Sequence, residues 1–484
     1  MSDLLKEAEE LLARSGRGAV SYSPYDAAWI LRSRLLEEVE EHQLLEVLLG
    51  SQKGDGSWGA QLFYIHDRVV NTLAVVVALA ERGLAPEARN KGITFLQQGI
   101  PRLGESEVET IGFELVFPAM LDTARKLGLE LPYADKMVRA AEEMGGRKKG
   151  LIPPGAFMKL TSLAHSLEAF TGYPDAAVFP NGSLGCSPAA TAAYLMEKKS
   201  TREDCLRYIR QFADTGWQVP SIYPLEIVEY AWILHSFMHA GILGKLNARP
   251  VLERMAKHLE MFKGASISDT FPTIDSDDTA MVYMVLKESG YKVPTSVLEQ
   301  FEEQKWFRCF ALERNPSISA NIHVLEAIRR TPDYPRRDEV LAKLLTFVRG
   351  TMRPDGHGGG WWLDKWQISP YYCTGHAVLA IGDLDPDMSG KALEYIRRTQ
   401  NADGGWGIQG SSQEETAYAL QALKSGNSSS HFKGRFNQEI ENGLRFMRGN
   451  RQPHPELWVD KGLYCPLDLV EAACLEWRCG AQKD

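Results

Sequence analysis

The 484-residue sequence predicts an all-α protein built from stacked helical hairpins. Apolar residues recur at spacings of three and four in stretches such as 69–79, 227–237 and 417–423, which is the periodicity of amphipathic and buried helices. No comparable set of alternating apolar and polar segments predicts strands. A Gly-rich phrase also returns between the helices, and repetition of a helix with a turn is typical of stacked hairpins.

The repeated phrase reads Q-x-x-D-G-x-W-G. It occurs at 52–59 and at 400–407, with weaker versions at 181–185 and 353–356. Asp-Gly favours a reversal of the chain, while the Trp ring can cover helix ends and the Gln amide can bond to backbone there. We therefore interpret these turns as architecture rather than chemistry.

Composition sets the class of protein. The hydrophobic content of 44% and the charged content of 24% are globular values, and the length predicts two or three domains. A net charge of −9 gives no general attraction to nucleic acid, so none is expected as a partner. The N-terminus lacks a signal peptide, and no apolar run approaches the roughly 20 residues of a membrane span.

The cysteines and the acidic cluster give the first hints of location and chemistry. Seven scattered cysteines without a C-x-x-C pair favour reduced thiols in the cytoplasm.

Asp275, Asp277 and Asp278 lie within four positions, just before an apolar stretch at 280–286. Asp caps helix starts, but like carboxylates in a buried setting cannot all ionise, so one would keep its proton. The pattern alone leaves open capping, acid catalysis and metal binding.

The turns, together with D-x-D-D followed by Thr-Ala, resemble the class II terpene cyclases. Squalene-hopene cyclases share these features but are longer and carry more of the turns. Further matches to the diterpene branch run over nearly the whole chain, at 23–29, 66–73, 111–118, 164–168, 187–192, 364–372 and 414–418. The resemblance implies two α/α barrels: a γ domain at 20–225, inserted into a β domain formed by 1–19 and 226–484.

The resemblance implies that one of the three acids is a proton donor. Asp277 would protonate the terminal double bond of geranylgeranyl diphosphate, and the next double bonds would capture the cation. Asp275 and Asp278 would keep Asp277 neutral, and Asn321 would orient it. An alkene is an extremely weak base, so its acid must be neutral and desolvated. The expected product is a copalyl-type bicyclic diphosphate.

The end of the reaction is less closely specified by the family pattern. His165 matches the His of plant enzymes that make ent-copalyl diphosphate, where it helps to remove the last proton. Ser221 stands where that pattern carries Asn. This departure leaves open a rearranged kolavenyl or halimadienyl skeleton, and the enantiomer.

The diphosphate should be held by basic residues and Mg²⁺, since it is not the leaving group. The basic candidates are Arg147, Lys148, Lys149 and Lys365. The candidate Mg²⁺ ligands are Glu105, Glu107 and Glu109, which precede the segment where plant relatives carry an acidic metal-binding stretch. Aromatic faces stabilise a cation without reacting with it. The candidate cavity walls are Trp361, Trp362, Tyr371, Tyr372 and Tyr418.

Partners and rival functions follow from what the sequence lacks. Neither the D-D-x-x-D motif nor the second metal motif of class I synthases occurs, so a separate class I diterpene synthase should consume the product. The chain is compatible with a homodimer. A drimenyl-type sesquiterpene cyclase and a catalytically silent toroid binding protein stay open as alternatives. A prenyltransferase subunit would need an Asp, Cys and His zinc set, and no matching constellation is present.

Overall fold

The structure is a computed structural model that describes residues 2–106, 108–150, 162–170, 172, 177–199, 202–311, 313, 315–449 and 452–480. Its α-helices are α1 (Ser2–Arg14), α2 (Pro24–Ser33), α3 (Glu38–Gly50), α4 (Ile65–Arg82), α5 (Pro86–Gly99), α6 (Phe113–Lys126), α7 (Lys136–Gly150), α8 (Pro188–Lys198), α9 (Glu203–Arg210), α10 (Glu226–His239), α11 (Arg249–Phe262), α12 (Ser276–Glu288), α13 (Ser296–Glu299), α14 (Ile318–Arg329), α15 (Arg337–Thr351), α16 (Pro370–Ile381), α17 (Pro386–Arg398), α18 (Gln413–Ser428), α19 (Asn437–Gly449) and α20 (Leu467–Gly480). Short 3-10 helices lie at Ile100–Glu105, Ser162–Ala169, Gln211–Thr215, Leu243–Lys245 and Gly382–Leu384.

Strands are short and few in the described part of the chain. They are β1 (Arg353–Pro354), β2 (Gly360–Trp361), β3 (Trp458–Val459) and β4 (Leu463–Tyr464). β1 pairs antiparallel with β2, and β3 pairs antiparallel with β4. The prediction of an all-α fold class is therefore confirmed.

The chain divides into two compact units. The first contains Met1–Ala19, Leu225–His454 and Pro466–Asp484, and the second contains Val20–Pro224 and Pro455–Cys465. The sequence assigned 455–465 to the β domain, and the structure corrects this assignment. The backbone N–H of Ile111 donates to the Asp460 carbonyl at 2.8 Å, and that of Leu463 donates to the Asp67 carboxylate at 2.7 Å.

The first unit is a ring of buried helices inside a layer of amphipathic ones. Among its described helices, α10, α12, α14, α16, α18 and α20 each pack against the next, and α20 packs against α10. These helices are buried all round, as α12 is over 276–286, and such helices belong inside a domain. The outer helices bury one stripe each, as α11 does with Leu252, Met255 and Leu259. This is an α/α barrel.

The second unit repeats the plan with its own core. Its described inner elements are α2, α4, α6, the 3-10 helix Ser162–Ala169 and α8, which pack in a closed circuit with α2 against α8. Helices α3, α5, α7 and α9 pack on the outside of α2, α4, α6 and α8 respectively.

The repeated turns hold these layers together as the sequence predicted. The indole N–H groups of Trp58 and Trp406 each donate to a helix carbonyl at 2.7 Å. The Gln52 amide donates to the carbonyls of Gly56 and Ala88, and Gln400 makes the matching pair of bonds. A Cβ at Gly56, where φ is +87°, would lie 2.7 Å from the Lys91 carbonyl oxygen. Only glycine fits there without strain.

Candidate active site

The acidic triad lies at the start of α12, inside the barrel of the first unit. Asp275 is the N-cap residue, and its Oδ1 accepts the backbone N–H of Asp278 at 2.8 Å. Asp277 and Asp278 occupy the first turn, and all three residues are at most 9% exposed. Capping therefore accounts for Asp275 and leaves two more acids at a buried helix start.

An imidazole holds the middle acid. Nδ1 of His323, on α14, makes a very short hydrogen bond to Oδ1 of Asp277. The other ring nitrogen of His323 lies 2.6 Å from Nδ1 of His376, on α16. Because both ring nitrogens are engaged, the orientation of the His323 ring is fixed against Asp277.

Burial and like charge favour the protonated forms of Asp275 and Asp278. Burial, followed by the charges of Asp278 and Asp277, raises the pKa of Asp275 well above its usual range. Burial likewise raises the pKa of Asp278 to about 7, with a further contribution from Asp277. Burial alone would lower the pKa of His323, but the Asp277 carboxylate outweighs it and raises that pKa. Burial and like charge thus favour retained protons on Asp275 and Asp278, and His323 is placed to stabilise negative charge on Asp277.

Aromatic rings surround this acid centre. Trp232 packs edge-on against His323 at 5.8 Å between ring centroids, and its indole N–H donates to the Tyr372 hydroxyl at 2.9 Å. Tyr372 packs against His376 at 4.5 Å and against Tyr418 at 5.3 Å. Tyr372 and Tyr418, two of the predicted wall residues, therefore belong to the surroundings of the acid centre.

The other predicted wall residues have different neighbours, and their place in the cavity wall stays a prediction. Trp362 anchors a turn as Trp58 does, with its indole N–H donating to the Val348 carbonyl at 2.8 Å. Trp361 and Tyr371 pack against the Tyr395 ring at 5.9 and 6.1 Å.

Asn321 is also used differently from the prediction. Its side-chain oxygen accepts the backbone N–H of Phe307 at 2.7 Å, and its NH₂ donates to the Phe307 and Ser317 carbonyls. The partner of Asp277 is His323, two residues further along α14. The signal for His323 in the sequence was a histidine between apolar residues in Ile322-His323-Val324-Leu325, but the family pattern pointed to Asn321 instead.

His165 lies in the second unit, in a second buried ionic centre. Its Nδ1 bonds to the Gly185 carbonyl at 2.8 Å, and its Nε2 lies 2.9 and 3.1 Å from the Asp460 carboxylate oxygens. Burial lowers the pKa of His165, but Asp460 more than compensates, so the net pKa is raised. Burial raises the pKa of Asp460, but His165, Lys461 and the Ser221 hydroxyl together bring it below its usual value.

A buried lysine completes this centre. Lys461 is fully buried, and its Nζ lies 2.7 Å from a Glu168 oxygen and 2.6 Å from the Ser187 hydroxyl. The Tyr25 hydroxyl donates to the same Glu168 carboxylate at 3.0 Å. Sequence reasoning missed Asp460 and Lys461, although two adjacent charges stand between apolar residues in Leu457-Trp458-Val459-Asp460-Lys461-Gly462-Leu463.

The predicted diphosphate-binding residues are already paired within the two units. Arg147 pairs with Glu143, Lys148 lies 2.7 Å from Glu114, and the Lys149 ammonium donates to the Ala169 carbonyl at 2.9 Å. Lys365, in the first unit, donates to the Asn315 carbonyl at 2.8 Å and lies 3.7 Å from Glu313.

Two of the three predicted Mg²⁺ ligands, Glu105 and Glu109, lie in the described part of the chain. Both oxygens of Glu105 accept from the Arg102 guanidinium at 2.9 Å, on the surface. Glu109 lies in the short connection before α6, and Glu107 lies outside the described residues.

A barrel of helices with a buried, His-held D-x-D-D triad defines a class II terpene cyclase, and comparisons with known proteins agree. Residues 310–432 match the squalene-hopene cyclase C-terminal domain family. A type B diterpene cyclase of Mycobacterium tuberculosis is 30% identical over 495 residues, covering 96% of this chain and 97% of that protein. An ent-copalyl diphosphate synthase of Streptomyces sp. (strain KO-3988) is 30% identical over 504 residues, with coverage of 96% and 93%.

A solved structure supports the same conclusion. The ent-copalyl diphosphate synthase of Streptomyces platensis superposes with a TM-score of 0.82 at 29% identity, covering 99% of each chain. The chain therefore belongs to the class II diterpene cyclases and is a copalyl diphosphate synthase-like enzyme. In the described residues, no helix is both long enough and apolar enough to cross a bilayer.

Proposed function

We propose that the enzyme cyclises geranylgeranyl diphosphate to a copalyl-type bicyclic diphosphate and retains the diphosphate. The observation that carries the proposal is the buried triad, in which Asp277 is held by His323 between two carboxyls of raised pKa. The names of the relatives agree with a C20 substrate, since they are a diterpene cyclase and copalyl diphosphate synthases.

The first step is proton transfer from Asp277. The π electron pair of the terminal double bond takes the carboxyl proton to form a new C–H bond, which leaves a tertiary cation on the neighbouring carbon and the O–H electron pair on the Asp277 carboxylate. The second and third double bonds then attack in turn and close two rings. His323 stabilises the Asp277 carboxylate that remains, which is the charge that develops in the transition state.

The last step returns a proton to the protein. Both ring nitrogens of His165 are engaged, so the basic group of its pair is the Asp460 carboxylate. We assign the final deprotonation to the His165–Asp460 pair, with Ser221 beside it. One proton enters and one leaves, so the reaction is an isomerisation.

A rearranging cyclase is the second candidate. Ser221 is 2% exposed and contributes to the low pKa of Asp460. Its hydroxyl is shorter than the Asn of the plant pattern, and slower proton removal would allow hydride and methyl shifts to a kolavenyl or halimadienyl skeleton. The same first step acts in both candidates.

Mg²⁺ is the proposed companion of the diphosphate, whose charge it would neutralise. Glu105, Glu107 and Glu109, with Arg147, Lys148, Lys149 and Lys365, remain the candidate ligands for the ion and the phosphate groups. We further propose that a class I diterpene synthase consumes the product and that the enzyme acts in the cytoplasm.

The test is incubation of the purified chain with geranylgeranyl diphosphate and Mg²⁺, followed by phosphatase treatment and identification of the alcohol by mass spectrometry and NMR. The wild type should give a bicyclic alcohol, and its skeleton distinguishes the two candidates. Asp277→Ala should return only geranylgeraniol. A bicyclic product from that variant would remove Asp277 as the acid. Turnover of farnesyl diphosphate alone would make the enzyme a sesquiterpene cyclase.

A further inference from the structure

We propose that His235, His239 and Glu326 form a binding site for one divalent transition-metal ion of the zinc class. His235 and His239 lie four residues apart on α10, so both rings project from one face of the helix. Glu326 projects from α14. Their donor atoms all lie within 4.8 Å of one another.

The distances between these atoms fit a tetrahedral ion. Nε2 of His235 is 3.1 Å from Oε2 of Glu326, and Nε2 of His239 is 2.9 Å from Oε1. Zinc bonds of about 2.0–2.1 Å place neighbouring ligand atoms of a tetrahedron about 3.3–3.4 Å apart. Each histidine–glutamate pair is within a few tenths of an ångström of this spacing, and the three donor atoms, now within 4.8 Å of one another, would close to it around the ion. A water molecule would take the fourth position.

The ligand types of the cluster also suit a metal of this class. Imidazole nitrogens and a carboxylate oxygen are the donors that zinc binds in catalytic and structural sites.

The surroundings of the cluster stabilise its carboxylate and leave a route for a metal ion to reach it. Arg330 donates from Nε to Oε1 of Glu326 at 2.8 Å, as an outer partner of a metal-binding carboxylate does. α10 ends at His239 and α14 ends at Arg329, so the negative ends of both helix dipoles favour a cation there. The His239 side chain is 12% exposed, whereas the side chains of His235 and Glu326 are at most 3% exposed. The ion would therefore enter past His239.

The consequence would be structural rather than chemical. An ion at this site would tie α10 to α14. His323 also lies on α14, one turn before Glu326, and bonds to Asp277. This site is distinct from the Mg²⁺ proposed for the diphosphate, because its donors are imidazoles. It also lacks the Cys of the prenyltransferase zinc set.

Metal content and spectroscopy test the proposal without any cyclisation assay. The full chain is purified, its zinc is measured by plasma mass spectrometry, and the stripped protein is titrated with Co²⁺. We expect one equivalent of zinc and the strong visible absorption of four-coordinate Co²⁺. His239→Gln, at the rim, should lose both signals while circular dichroism shows a folded protein.

Two further variants separate the proposal from its alternative. Glu326→Gln should weaken Co²⁺ binding in the same way, and His431→Gln, an exposed histidine of the same unit, should bind as the wild type does. If the imidazoles merely donate N–H bonds to Glu326, the wild type will hold no zinc and show no Co²⁺ band. That result, or an unchanged band in His239→Gln, overturns the site whatever substrate the enzyme cyclises.

Discussion

Each of the two buried ionic centres contains an aspartate paired with a histidine, but the two centres favour opposite charge states of their carboxyls. In the first unit a histidine holds Asp277 among further carboxyls, and the pKa values of Asp275 and Asp278 are raised. In the second unit a histidine holds Asp460, whose pKa is lowered. Both carboxylate–imidazole pairs are buried, so burial is not what distinguishes them.

The difference lies in the local count of charges. Around Asp277 the close neighbours are two more acids and one imidazole, so the set tends to keep protons. Around Asp460 the close neighbours are His165 and Lys461, which favour the ionised carboxylate. The first centre therefore favours protonated carboxyls and the second an ionised one, which agrees with the proton donor and the proton acceptor proposed above.

The largest effect should come from removing the proton of the first centre. Asp277→Asn keeps the size of the side chain but cannot donate the proton, and a positioned general acid contributes up to about 10⁴-fold in rate. Single-turnover cyclisation should therefore fall by about that factor with the thermal midpoint nearly unchanged. Asp338→Asn, whose side chain is 99% exposed, is the control and should cyclise normally. Equal losses in the two variants would contradict the comparison.

The next effect concerns the cation of the second centre. Lys461→Met leaves the Glu168 carboxylate, 1% exposed, without its ammonium partner. Breaking a buried ion pair by removing one member costs about 3–5 kcal/mol of stability. Urea unfolding measures the loss, and Lys126→Met, on the surface of the same unit, should change stability little. A stable Lys461→Met protein would show that this charge is not needed to balance the second centre.

A smaller effect should follow from replacing the imidazole of the first centre. His323→Asn removes the charged hydrogen bond to Asp277, and such bonds contribute about 1.5–3 kcal/mol. We expect kcat to fall about 10- to 100-fold with KM nearly constant, because the bond stabilises the charge left in the transition state. His431→Asn provides the matched control. A rise in KM alone would assign His323 to substrate binding.

The sequence predicted much of the fold because helical periodicity and the Trp turns are local signals. Each turn carries its own reason for forming, as the bonds of Gln52 and Trp58 show. The triad was likewise visible, since three acids next to an apolar stretch need a physical reason. Local patterns therefore found the helices, the turns and the buried acids.

The partners of these residues depend on packing between distant segments and were harder to predict. His323 comes within reach of Asp277 only because α12 and α14 pack side by side. Asp460 meets His165 because 455–465 packs in the second unit, away from its neighbours in sequence. Asn321 was chosen by family pattern, whereas the helix turns its amide toward the Phe307 backbone. Spacing along one chain does not report such contacts.

The smallest effect should appear as a pH dependence, which tests the charge count directly. The pKa of Asp278, raised by burial to about 7, lies above its unfolded value of 3.8, so its stabilising contribution is complete below about pH 3.8 and is lost as the pH rises through about 7. Over the same rise the triad loses a proton, and kcat/KM should fall about tenfold per pH unit above about 7. Asp460, with its lowered pKa, stays ionised throughout, so the second centre should cause no fall in kcat/KM over this pH range. Asp278→Asn cannot ionise and should move or abolish the fall, whereas Asp338→Asn should keep it. A wild-type profile flat to pH 9 would mean that the proton is not shared through Asp278.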